Sequence, residues 1–133
     1  MSRKNILRLI TIAAWLTIIF IAYATLTRVG FVYAIYFKLW PILMWPMRTY
    51  AHVEHIVAFA VLGALFSFAY PKRTILVCCV VFGGAALLEF MQTLTPDRHG
   101  TLIDALEKIG GGAAGILAAK AILRFGFAGR QTS

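Results

Sequence analysis

The sequence predicts an all-α integral membrane protein, a four-helix bundle with an interfacial aromatic segment between its first and second spans. Three observations carry that expectation. The chain of 133 residues is 61% hydrophobic and only 14% charged, where a soluble domain carries roughly a quarter charged residues. Its apolar residues gather into runs near the roughly 20 residues that cross about 30 Å of hydrocarbon. Its lysines and arginines are spread unevenly between those runs. We place spans at about 7–27, 53–70, 74–94 and 103–123, in a single domain covering residues 1–133.

The first run, Leu9 to Leu26, follows the basic lead-in Arg3, Lys4 and Arg8. Ala22-Tyr23-Ala24 resembles a signal-peptide cleavage site, but the apolar run is long and continues up to it, so a retained span is expected. Gly30 to Tyr50 is crowded with aromatics, among them Tyr33, Tyr36, Trp40 and Trp45. Lys38, Pro41 and Pro46 make a span there unfavourable. Because Trp and Tyr favour the water–lipid boundary, an interfacial segment that could cover a site beneath is expected.

The second span opens with His52, Glu54 and His55, and residues 52 and 55 share a helix face. It ends at Tyr70-Pro71-Lys72-Arg73, where proline stops the helix. The third carries Gly83 and Gly84, with Cys78 and Cys79 adjacent inside it. Neighbouring helical positions diverge, so these cysteines are expected to pack and not to form a disulfide. The fourth contains Gly110, Gly111, Gly112 and Gly115. The pair Gly111 and Gly115 has GxxxG spacing, which lets helices approach closely in lipid, and is expected to pack the fourth helix on the third. The small-residue faces also leave oligomerisation open.

A net charge of +8 could suggest nucleic acid, but its distribution argues against that partner. With a cytoplasmic N-terminus and four spans, the inner side carries Arg3, Lys4, Arg8, Lys72, Arg73, Lys120, Arg124 and Arg130, with no acidic residue. The outer side holds Arg28, Lys38, Arg48, Arg98 and Lys108 with every acidic residue. This is the positive-inside pattern. It predicts a multi-pass protein of a bacterial inner membrane with both termini cytoplasmic.

The outer side is also where polar residues enter the apolar runs. Glu89 and Gln92 share a face near the end of the third span, Pro96 ends that helix, and Arg98 lies in the turn. Asp104 starts the return helix with Lys108 one turn deeper, and His55 enters from the same side. Buried ions at that depth must pair or bind something. One reading is a clasp with Arg98 between Glu89 and Asp104. Another is an anion pocket, since guanidinium supplies a planar fork of donors. A third is acid–base chemistry with Glu89, Asp104 and His55 as candidate catalytic residues. A metal on His52, His55, Glu89 and His99 ranks last, because one His-x-x-His pair is weak support. No metal and no cofactor is expected.

Glu89-x-x-Gln92, Pro96-x-Arg98, Asp104 and the glycine-rich helix after it together resemble the VanZ-like family of small integral membrane proteins, and His55 fits its pattern. The resemblance covers roughly His52 to Gly115. Lys108 stands where the family usually has Asn, and Ala51-His52 where it tends to have Asp-Lys. The resemblance implies a cell-envelope role associated with low-level resistance to the glycopeptide teicoplanin, and it supplies no reaction. The expected ligand-binding residues are His55, Glu89, Gln92, Arg98, Asp104 and Lys108. The expected partner is an anionic membrane lipid head group or lipid-linked envelope precursor. The alternative function is a membrane-embedded acid–base enzyme acting on a lipid-linked substrate, although no nucleophile motif accompanies the candidates. A packing partner for another membrane protein is the third class.

Overall fold

The computed structural model describes residues 2–27, 47–94 and 101–128, with side chains described at all of these except 47–51 and 126–128. Four helices and no strand are found among them: α1 (Arg3–Leu26), α2 (Met47–Ala69), α3 (Thr74–Thr93) and α4 (Leu102–Ala128). The expected interfacial segment, Gly30 to Tyr50, lies outside the described residues apart from its last four, which form the backbone of the first turn of α2.

Local chemistry sets the helix ends. Ser2 caps α1, its hydroxyl accepting from the Lys4 amide at 3.4 Å. Within α1, Thr11 and Thr17 donate their hydroxyls to the carbonyls of Leu7 and Ala13. This back-bonding satisfies polar atoms within the helix itself. Pro71 stops α2, because the residue before a proline is pushed out of the helical region. The Arg73 amide then bonds the Tyr70 carbonyl at 3.0 Å, closing the turn into α3.

Cross-helix contacts fix the topology. Residue i of α2 meets residue i + 55 of α4 at His52/Glu107, Ile56/Gly111 and Ala60/Gly115, so these two helices run parallel. On α3 and α4, Glu89 meets Lys108, Val81 meets Gly112 and Thr74 meets Lys120, an antiparallel pair. Helix α1 runs parallel to α3, with Ile18 beside Gly84 and Gln92 bonded to Thr25. Its Trp15 packs edge-on against Phe66, centroids 5.3 Å apart, and donates to the Tyr70 hydroxyl at 3.1 Å. The result is an up-down-up-down bundle.

Glycine makes the α2–α4 contact possible. A Cβ on Gly111 would stand 2.8 Å from Ile56 Cα, and one on Gly115 would stand 2.9 Å from Ala60 Cα. The GxxxG pair therefore packs against α2, not against α3 as the sequence suggested. The α3 contact falls to Gly112, whose Cβ would collide with Val81. Both partners sit on one helix because 111 and 115 are a turn apart on one face, while 112 is rotated about 100° away.

The core is apolar and tight, with Phe59, Leu62, Phe66, Val77, Val81 and Ala85 essentially inaccessible. The outside is apolar too: Leu16, Ile19, Phe20, Ile75, Phe90, Leu117 and Phe125 are each more than 60% exposed. Soluble monomers rarely expose so much contiguous apolar surface. Among the described residues, three helices are long and apolar enough to cross a membrane, at Arg3–Leu26, His52–Ala69 and Thr74–Thr93. Helix α4 forms over the whole of the fourth expected span and carries Asp104, Glu107, Lys108, Lys120 and Arg124.

Charge is sorted by end. Every described acidic side chain, Glu54, Glu89, Asp104 and Glu107, lies towards the end where α2 and α4 begin, together with Lys108. The opposite end holds Arg3, Lys4, Arg8, Lys72, Arg73, Lys120 and Arg124.

Candidate functional site

The polar residues of the acidic end are delivered by the last turns of α3 and the first turns of α2 and α4. Glu89 is 7% exposed and Lys108 is fully buried, and the Lys108 Nζ donates to Glu89 Oε2. The other carboxylate oxygen, Oε1, accepts from the Thr101 amide at 2.6 Å. Glu89 thus holds α4 twice, at its cap and about two turns below. A charge-assisted bond between two ions removed from water is strong only when remaining donors and acceptors are also met. The Thr101 amide supplies that second contact.

Thr101 in turn caps α4. Its hydroxyl accepts from the Asp104 amide at 3.1 Å, as an N-cap threonine does. In a complete capping box, the side chain three residues on returns to the cap residue's own amide. Here Glu89 takes that amide from another helix, and the Asp104 carboxylate instead faces His52, with Oδ1 3.9 Å from His52 Nδ1. Glu107 lies closer, its Oε1 2.8 Å from the same nitrogen. His52 is half-exposed, so this triad borders the solvent side of the buried pair.

Gln92 is buried and turned towards α1, where its Nε2 donates to the Thr25 carbonyl at 3.3 Å. That carbonyl is in the last turn of α1, where no intrahelical donor remains. Gln92 therefore closes a helix end. His55 is partly buried and within electrostatic reach of Lys108, Asp104, Glu54 and Glu89. Arg98 and His99 lie outside the described residues.

Of the expected site residues, His55, Glu89, Asp104 and Lys108 are brought to one end of the α2–α3–α4 interface, and Gln92 flanks it on the α1 side. Lys108 pairs with Glu89, and the expected clasp of Arg98 between Glu89 and Asp104 falls on a residue outside the described ones. Three residues outside the expected ligand-binding set take part: Thr101, Glu107 and His52. The Thr101-x-x-Asp104 cap pattern and the one-turn spacing of Asp104 and Glu107 were signals for the first two. Pairing His52 with them needed the α2–α4 register.

Compared with protein-family models, curated proteins and solved structures, the chain matches none.

Proposed function

We propose that this is a VanZ-like cell-envelope protein, a four-helix bundle of the bacterial inner membrane with both termini cytoplasmic. Its outward polar pocket binds an anionic lipid head group or cell-wall precursor, and that role ties it to glycopeptide (teicoplanin) resistance. The observation that carries the reading is the sorting of polarity. An apolar exterior encloses buried Glu89 and Lys108 at one end, and the basic residues of the other end supply the inside-positive bias.

At that end the described side chains have four carboxylates against one lysine, and that lysine is committed to Glu89. Anion recognition therefore falls to Arg98, for which guanidinium geometry is suited. Glu89 and Lys108 hold the floor of the pocket, Asp104 orients the head group, and His55 adds a hydrogen bond. Both Glu89 oxygens are occupied, which makes Glu89 a framework residue in this reading.

The test is binding of a polyprenyl phosphate to purified protein in detergent micelles. Arg98→Ala should weaken binding at least tenfold while the protein stays monodisperse and helical. Wild-type binding in that variant would sink the proposal.

A further inference from the structure

We propose that His52, Asp104 and Glu107 form a binding site for one divalent transition-metal cation of the zinc type. The inference stands on these three side chains and does not rest on the lipid reading.

One ligand atom from each of the three lies within 4.8 Å of the others. His52 Nδ1 is 2.8 Å from Glu107 Oε1 and 3.9 Å from Asp104 Oδ1. Zinc bonds to imidazole and carboxylate of about 2.0–2.2 Å, at tetrahedral angles, put ligand atoms about 3.4 Å apart. The two separations from His52 straddle that value and the third lies within 4.8 Å, so side-chain shifts of about an ångström bring the three ligand atoms to zinc geometry. The backbone is held in place for this: one turn below His52, Ile56 is locked against Gly111 in the same register that pairs 52 with 107.

Charge points the same way. Asp104 and Glu107 are like charges one turn apart on α4, an unfavourable spacing without a counter-charge. Lys108, next in sequence, is turned inward to Glu89. Protonated His52 offsets one of the two carboxylates, whereas a divalent cation on neutral imidazole offsets both. Imidazole with carboxylate suits zinc and its neighbours, while calcium and magnesium prefer oxygen alone. Three protein ligands leave a fourth position for water, and half-exposed His52 places the site where aqueous ions reach it.

The experiment uses untagged, chelator-stripped protein in detergent, titrated with Zn2+ by calorimetry and with Co2+ by visible absorption. One saturable equivalent is expected, with the intense d–d bands of four-coordinate cobalt. His52→Gln and Glu107→Gln should each weaken binding at least about tenfold, the floor for losing even an outer-sphere partner. Arg98→Ala should bind zinc as the wild type does, which separates this site from the lipid reading. In unmutated protein, Zn2+ should protect His52 from carbethoxylation, read by peptide mass spectrometry. That measurement stands even where a variant misfolds. Absence of saturable binding, wild-type affinity in the folded Glu107→Gln protein, or equal His52 labelling with and without zinc overturns the proposal and leaves a hydrogen-bonded His–carboxylate cluster.

Discussion

Glu89 and Lys108, 19 positions apart in sequence, form a buried ion pair that joins the end of α3 to the start of α4. The same glutamate accepts the amide of Thr101, the α4 cap. One carboxylate thereby sets both where α4 begins and how deep it sits against α3. The hairpin between these helices is anchored by charge, at a depth where each ion alone is unfavourable.

Breaking that pair should be severe. Glu89→Gln or Lys108→Met leaves its partner buried and uncompensated, with an expected loss of about 3–5 kcal/mol. The double variant removes both ions and should recover most of that loss. Equilibrium unfolding in mixed detergent measures the cycle, and additive single-site losses would contradict the pairing.

Glycine substitutions should separate by face. Gly111→Ala and Gly115→Ala push a methyl into the α2 backbone and should destabilise by about 1–3 kcal/mol. Among the described residues no tertiary neighbour lies within 4 Å of the Gly83 Cβ position, so Gly83→Ala should be neutral or stabilise by up to about 1 kcal/mol. Thermal midpoints in one detergent give the ranking; equal effects at 83 and 111 would contradict the parallel α2–α4 contact.

Ser67 is fully buried on α2, and its hydroxyl has no hydrogen-bond partner among the described residues. Replacing an unsatisfied buried hydroxyl relieves a desolvation penalty of about 1–3 kcal/mol. Ser67→Ala should accordingly raise the unfolding midpoint. A lowered midpoint would mean that the hydroxyl is hydrogen-bonded.

The α4 cap offers a smaller test. Thr101→Ala removes the acceptor for the Asp104 amide and should lower stability by about 1 kcal/mol, while Thr101→Ser should restore most of it. The backbone contact to Glu89 survives both changes. Amide hydrogen exchange at residues 102–105 would localise the loss to the first turn.

The helices were legible because their determinants are local. Spans expected at 7–27, 53–70, 74–94 and 103–123 correspond to helices at Arg3–Leu26, Met47–Ala69, Thr74–Thr93 and Leu102–Ala128. Helix α2 starts six residues early, because the apolar count begins at Val53 whereas backbone helicity needs only non-breaking residues after Pro46. The polar end was also legible: Glu89, Asp104, Lys108 and His55 meet there. Gln92 was harder to place, since its partner is a backbone carbonyl on α1, 67 positions away.

By itself, the sequence determined an apolar four-helix chain with its carboxylates at one end and most of its basic residues at the other. Run length, proline and charge order decide those features one segment at a time. Tertiary structure alone decided the partners. Lys108 closes on Glu89; the GxxxG pair meets α2; and His52 joins Asp104 and Glu107. Each choice depends on the rotation and register of one helix against another. Close approach at Gly111 and Gly115 sets that register for α2 and α4, and no single segment contains the information.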